Sequence, residues 1–326
     1  MQREKRTSRI WECLVAVLST VLLLANLGSL AGCARSGTVW EPETSQPGKD
    51  DLYAVWGSSS SDIFAVGQDG IILHYDGSSW NLMNSGTDSI LEGVWGSSSS
   101  DVFAVGWGGT ILHYDGTAWS AMSSGLPVAS DAGMLQGVWG SSATDVFTVG
   151  MDGTILHYDG TGWSAMNSGA PVANTAGILQ SVWGSSSSDV FVVGYAGTIL
   201  HYDGFAWSAM SIGAVHFLDA VWGTSPSEVF AVGMDAGSGG GIVLHYDGSA
   251  WSVMSSGTDH ILRDVWGSSP SDVFAAGSTG TILHYDGSAW SAMTSGTDGS
   301  LEGVWGSSSS DVFAVGEGGT ILHYGG

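Results

Sequence analysis

From residue 52 onward, apolar residues come in short runs rather than along a helical stripe. The runs read L-x-x-V-W-G, D-V-F-A-V-G, T-I-L-H-Y-D and A-W-S-A-M, and that order repeats. Val, Ile, Phe, Tyr and Trp crowd each run, while Gly, Ser or Asp separates it from the next, the pattern of short strands joined by turns. No part of this region carries apolar residues at helical spacing over about eleven positions. Val-Trp-Gly begins at Val55, Val94, Val138, Val182, Val221, Val265 and Val304, at intervals of 39, 44, 44, 39, 44 and 39. A period near forty with four strands per unit predicts the blades of a β-propeller, seven of them.

Strands A, B and C, counted outward from the centre, occur seven times after residue 51. Strand D occurs six times there, at Trp80, Trp119, Trp163, Trp207, Trp251 and Trp290. The missing copy stands at the other end: Gly37-Thr38-Val39-Trp40 matches Gly116-Thr117-Ala118-Trp119. The last blade stops at His323-Tyr324-Gly325-Gly326, where the others run on into strand D. The expected fold class is therefore all-β, a seven-bladed propeller of four-stranded antiparallel blades over 37–326. An N-terminal strand completes the last blade, which closes the ring and pairs edges that would otherwise stay open.

Composition excludes several classes. With 43% hydrophobic residues and 16 Trp among 326, the chain can bury a core, so it is not disordered. Its 51 Gly follow no G-X-Y period, which excludes collagen. The formal charge is −24, from 7 Lys and Arg against 31 Asp and Glu, so nucleic acid is repelled. Arg3, Lys5, Arg6 and Arg9 precede an apolar stretch. Its uninterrupted part, Leu14 to Ala25, is short for a spanning helix and right for a signal peptide.

That stretch ends in Leu30-Ala31-Gly32-Cys33, which resembles a bacterial lipobox. The resemblance implies a lipoprotein signal peptide over 1–32, a lipid on Cys33 and a tether of 33–36. The mature chain then keeps Arg35, Lys49 and Arg263 against 29 acids, about −26, and has no second cysteine for a disulfide. So acidic a surface gains nothing from an anionic bilayer, and partnership with the membrane rests on the lipid. The expected address is a bacterial cell envelope. The outer membrane is preferred, because Ala34 is no retention signal under the common Gram-negative rule.

The repeat, typified by Ala104 to Trp119, reads A-V-G-x-x-G-T-I-L-H-Y-D-G-x-A-W. It is similar to the propeller superfamily that includes Asp-box (BNR-type), photosystem II assembly factor-like and WD40/YVTN-like repeats. The resemblance covers essentially 37–326 and implies the fold. It implies no sialidase activity. An Asp-box reads S-x-D-x-G-x-T-W, whereas the turn from His113 to Trp119 is one residue tighter and lacks the leading Ser.

A catalytic centre is a single place, so a residue repeated around a ring reads as architecture. His74, His113, His157, His201, His245, His284 and His323 recur in strand C. They read as one buried hydrogen-bonding brace per blade rather than as members of Ser-His-Asp triads. Asp62, Asp101, Asp145, Asp189, Asp272 and Asp311, with Glu228 in blade five, stand at the A–B turn, where they are expected to accept backbone N–H groups. Six further Asp, from Asp76 to Asp286, precede Gly in the C–D turn. One acid per loop is too few for a calcium loop, so no cofactor is expected, with a structural divalent cation as the weaker alternative.

Departures from the repeat carry the rest. Length changes fall in the D–A connections (Leu126–Met134, Ala170–Ile178) and in the B–C connection of blade five (Met234–Gly241). In a propeller these loops share one face, here the top, and variable loops on a rigid scaffold are where binding usually sits. The first B–C residue varies as Gln68, Trp107, Met151, Tyr195, Met234, Ser278 and Glu317. The residue after the strand-A Leu varies as Tyr53, Glu92, Gln136, Gln180, Asp219, Arg263 and Glu302. Both sets are expected to ring the upper mouth of the central channel.

Flat rings stack, and carboxylates take hydroxyl or amine donors. Tyr53, Glu92, Trp107, Tyr195, Asp219, Arg263, Glu302 and Glu317 thus form a candidate ligand site. His216 and His260, at equivalent places in blades five and six, form with Asp219 and Asp264 a candidate metal cluster, though without a known zinc spacing. The expected function is a non-catalytic binding or scaffold propeller, a monomeric ring anchored in the envelope. Its partner would be a glycan, a peptide or an envelope protein, met through the top face. The alternative is a glycoside hydrolase or lyase using Glu92, Asp219, Glu302 or Glu317. It needs two carboxylates about 5 Å apart for retention or about 6.5–9.5 Å for inversion. Only Ala34-Arg35-Ser36 separate Cys33 from strand D, a reach of at most about 13 Å. The bottom face, where strand D begins, is therefore expected against the membrane.

Overall fold

The computed structural model describes residues 39–43, 47–125, 133–167, 177–213 and 216–325. The expected signal peptide 1–32, Cys33, the expected tether 33–36 and most of the Leu126–Met134 and Ala170–Ile178 connections lie outside the described residues.

Seven four-stranded antiparallel sheets follow one another as blades. In blade one, strand A is Leu52–Ser59, B is Asp62–Gly67, C is Ile72–Tyr75 and D is Trp80–Met83. Six sheets keep the order of the sequence. The seventh joins Leu301–Ser308, Asp311–Gly316 and Thr320–Gly325 to the N-terminal strand Trp40–Pro42. Trp40 pairs with Tyr324 and Pro42 with Leu322, so the ring closes as the sequence predicts. Strand C runs from the top face to the bottom, and the antiparallel closing strand therefore begins at the bottom.

Aromatic ladders hold each blade together. Trp56, Phe64 and His74 sit opposite one another across strands A, B and C. Their rings stack, 6.4 Å apart for Trp56–Phe64 and 4.4 Å for Phe64–His74. Phe64 then meets the strand-D Trp119 of blade two edge-on, at 6.0 Å and 83°. Trp40 makes the same contact with Phe274, at 6.4 Å and 80°, so the closing strand supplies the packing its blade would otherwise lack. The Phe of every strand B is almost fully buried. Such rings dominate the burial free energy of a core.

A second aromatic ring surrounds the axis. A Cβ on Gly96 would lie 2.6 Å from Cη2 of Trp56, and one on Gly57 would lie 2.7 Å from Cη2 of Trp305. Each strand-A Trp thus rests its edge on the Gly of the next blade, round the ring and back to blade one. This close approach is why Gly follows Trp in all seven repeats.

The repeated polar residues turn out to serve the bottom turns, with one correction. Asp62 does not accept backbone N–H groups. Ser58 Oγ donates to its Oδ2 at 2.5 Å, and His74 Nε2 to its Oδ1 at 2.7 Å. In blade five Glu228 takes the place of Asp, and His245 Nε2 reaches it at 2.9 Å. These braces are partly exposed at the face rather than sealed between sheets, because Asp stands at the turn itself. The backbone donors go instead to the C–D acids. Asp76 Oδ1 accepts from Ser78 Oγ at 2.6 Å and from the N–H groups of Ser78 and Ser79, each at 2.9 Å. The Ser78 hydroxyl first, then the two N–H groups, hold its carboxyl down at about 2. Gly77 beside it is left-handed (φ +87°), and a Cβ there would lie 2.8 Å from Ser61 Cβ.

Blade five departs from its neighbours. The inserted residues lengthen strands rather than hang as a loop: A becomes His216–Ser225, B Glu228–Asp235 and C Gly241–Tyr246. Met234, expected at the channel mouth, is paired with Phe217 and Gly241 inside the extended sheet.

Candidate functional site

Strand A carries an irregularity that aims one residue per blade at the axis. In blade one the register steps from Leu52↔Gly67 to Ala54↔Val66, leaving Tyr53 as an extra residue. The same step recurs in the other six blades. Such bulges re-aim side chains. Here the buried Leu anchors the strand, and the next residue turns inward. Tyr53, Glu92, Gln136, Gln180, Asp219, Arg263 and Glu302 consequently line one cavity at the mouth of the channel. The cavity continues downward to about 340 Å³, walled by Trp56, Trp139, Trp183, Trp222, Trp266 and Trp305.

The B–C residues form a separate outer tier, a correction to the expectation of one ring. They stand one strand further from the axis and do not line the mouth. Trp107 reaches inward through its indole N–H, which donates to Glu92 Oε1 at 2.7 Å. Tyr195 packs edge-on against Phe217 at 5.2 Å, and burial, then the charge of Asp219, raises its phenol above the usual value. Burial likewise raises Tyr53, with Asp51 and Glu92 adding to it. Glu317 stays outside, accepting the Ser300 N–H at 3.3 Å. Gln68 lines a different depression with Pro47, Asp50 and Leu82.

The electrostatics of the mouth are unbalanced. Arg263 Nη1 lies 3.3 Å from Asp219 Oδ2, and its Nε lies 3.6 Å from Glu302 Oε2. One guanidinium is thus shared by two carboxylates. Glu302 Oε1 also accepts the Ser300 hydroxyl at 2.5 Å. The Asp219 side chain is only 7% exposed, and its Oδ1 is buried without a hydrogen-bond partner, although Gln180 stands close enough to favour the charged form. Burial raises its carboxyl to about 6. Burial also raises Glu92, against the hydrogen bond from Trp107.

The four residues of the metal cluster do not converge on one point. His216 is buried with neither ring nitrogen hydrogen-bonded, its Nδ1 lying 3.3 Å from Asp235. His260 is exposed. Asp219 is drawn to Arg263. Asp264 accepts the N–H of Val265 at 2.9 Å and that of Val304 at 2.8 Å, which ties blade six to blade seven. Among the described residues no group of three or more His, Cys, Asp or Glu is placed to hold a metal ion. The cluster does not form: Asp219 is drawn to Arg263, and Asp264 is held by backbone N–H groups of two blades.

The strand-A Trp residues are what sequence reasoning missed. These seven Trp are only partly buried, and six of them wall the bore. The signal was the invariable Gly after each Trp, which leaves an indole edge nowhere to go but across the neighbouring strand.

Fold and site together define a seven-bladed β-propeller with a polar mouth over an aromatic channel. Solved structures similar to it are propellers of modest identity. A structure described as YCF48 bound to D1 peptide is 18% identical, with a TM-score of 0.69, covering 91% of this chain and 100% of that one. YCF48 from Cyanidioschyzon merolae is 16% identical with a TM-score of 0.70, covering 88% and 99%. The WD40 β-propeller domain of Doa1 is 13% identical with a TM-score of 0.71, covering 88% and 96%. No family model and no curated protein matches the chain.

Proposed function

We propose that this chain is a non-catalytic binding propeller that takes a peptide or an exposed segment of a protein across its top face, at the channel mouth. The observation that carries the reading is the bulge ring. One residue per blade is aimed at a shared cavity, and those seven are among the positions at which an otherwise near-identical repeat varies. A propeller of the same fold has been solved with a peptide, which makes this class of ligand the first to test. The hydrolase alternative needs an acid and a base facing one bond, whereas Asp219 and Glu302 are both drawn onto Arg263. A glycan remains within the reach of the same site, since Tyr53 and Trp107 offer rings beside carboxylates.

The lipobox-like run ending at Cys33 supports an envelope lipoprotein whose bottom face, where the closing strand begins, is held toward the bilayer. Cys33→Ser should release the protein from the membrane fraction. Retention there would refute the lipid anchor.

The binding reading is tested by selecting ligands from a random peptide library displayed against the 37–326 unit, which contains every strand of the ring. Selected peptides should lose at least tenfold in affinity on Trp107→Ala or Tyr195→Ala. No enrichment from the library, or affinity untouched by both changes, would overturn it.

A further inference from the structure

The channel combines features that share one ligand chemistry. At the rim, three carboxylates face one guanidinium, which Asp219 and Glu302 already divide between them. Below the rim the wall is indole. The one further ionisable side chain in that wall, Asp264, has each of its oxygens taken by a backbone N–H. The Asp219 side chain is only 7% exposed at the rim, and its Oδ1 makes no hydrogen bond of normal length, with Gln180 beside it. A carboxylate oxygen only accepts, so a ligand that satisfies it must bring an N–H or O–H. The surrounding charge selects among such donors, because residues 37–326 carry 29 acids against Lys49 and Arg263 alone. A field of that sign gathers cations and turns away carboxylates. Trp faces add attraction for a cation that has shed its water.

We propose that the channel is a receptor for an unbranched alkylammonium, presented as a lysine side chain of the bound peptide. The methylene stem passes the rim, and the ammonium lodges among the rim carboxylates Glu92, Asp219 and Glu302, above the indoles. This rests on the peptide-binding reading and names the group that peptide inserts. An ammonium suits a near-axial bore better than a guanidinium does. It is a compact charge with three donors around one axis, whereas arginine is a planar fork that calls for a matching flat acceptor.

The test uses the 37–326 unit and a short peptide blocked at both ends, so that its single lysine is the only cation. Binding is read as a saturable change in tryptophan fluorescence. The lysine peptide should bind at least tenfold more tightly than the norleucine, acetyl-lysine and arginine versions. Asp219→Asn and Glu92→Gln should each cost about tenfold, while a variant at the outer edge, Leu82→Ser, should cost nothing. No saturable signal at millimolar lysine peptide, or equal affinity for the norleucine version, overturns the ammonium. In the second case library-selected peptides would still bind, and the peptide reading would survive. Butylamine binding as tightly as the lysine peptide would uphold the ammonium and remove the peptide as its carrier. Should Asp219→Asn fold poorly, judged by its melting transition, Glu92→Gln alone decides the charge requirement.

Discussion

The two faces of this ring are built from opposite materials. On the bottom face nearly every blade carries the same turn residues, and the acids of those turns find their partners within their own blade. Ser58, Asp62 and His74 form one chain of hydrogen bonds, and Asp76 is satisfied by Ser78 and Ser79. At the top mouth no two neighbouring blades pair alike. One carboxylate oxygen, on Asp219, and one guanidinium nitrogen, on Arg263, are buried unsatisfied. Buried polar groups without partners are costly, and the seven strand-D Trp indole N–H groups carry that cost alike in every blade, so at the mouth it is an unsatisfied charge at a position where the repeat departs that points beyond the fold. Repetition marks the groups that serve the fold, and an unpaired charge where the repeat departs, as on Asp219, marks one open to a ligand.

The largest expected effect breaks the bottom face. Asp101→Ala in blade two strands His113 and Ser97, which donate to Asp101 at 2.8 Å and 2.5 Å. Losing the shared acceptor should cost about 1–3 kcal/mol of stability and leave ligand affinity at the top unchanged. Denaturant unfolding of wild type and variant reads the first, and peptide binding reads the second. An Asp101→Ala protein as stable as wild type would mean that the braces are ornament. A loss of binding without loss of stability would mean that the bottom face is itself functional.

How much of this could be read beforehand follows the same division. The seven blades, the closing strand at Trp40 and the mouth residues from Tyr53 to Glu302 were legible, because a strand period and a repeat period are both one-dimensional signals. The brace was half legible. His and acid were found, but they were not joined, since Asp62 and His74 lie twelve positions apart and meet only through strand register. The bulge was invisible, because an extra residue in strand A leaves no mark on a sequence that is otherwise two-periodic. Without the bulge, the strand-A and B–C positions appeared to share one rim, and the structure separates them into two tiers. The metal cluster failed because aligned positions were taken for neighbours, while Asp264 had already turned to the backbone of blade seven.

A middle-sized effect sharpens the comparison from the top. Asp264 stands half-buried where the other blades have Ala, Gly or Ser, and burial raises its carboxyl from 3.8 to about 7. Between those values the unfolded chain is ionised while the folded ring holds its proton. Stability therefore falls as pH rises from about 4 to about 7, and levels off above. Ser181 fills the equivalent place in blade four, its Oγ accepting the Val221 N–H at 3.3 Å without any charge. Asp264→Ser should consequently be the more stable protein at pH 8, by about 1–2 kcal/mol, and should lose that advantage by pH 4.5. Calorimetry at the two pH values reads the crossover, and parallel profiles would remove Asp264 as its source.

The smallest effect lies in the backbone of the same two faces. Every left-handed residue in the C–D turns of the bottom is glycine, from Gly77 to Gly287. In the B–C turns of the top the equivalent left-handed place is held by Asp69, Asp152, Ala196 and Thr279 as well as by Gly108 and Gly318. An Asp can offset that conformation with its own side chain, but a β-branched Thr at φ 55° has no such relief. Its hydroxyl only reaches back to the carbonyl of Ser278, at 2.7 Å. A Cβ on Gly108 or Gly318 would meet nothing within 4 Å, so the cost at this position is conformational and not one of crowding. Thr279→Gly should therefore raise stability by about 0.5–1 kcal/mol, after the added freedom of glycine in the unfolded chain is deducted. That corresponds to a rise in melting temperature of about 1–2 °C for a ring of this size. If the variant melts higher and binds as before, the strain at the top is a by-product of sequence change on a face the fold does not police. If it melts higher and binds less, Thr279 belongs to the outer tier with Trp107 and Tyr195, and the ligand reaches from the channel to blade six.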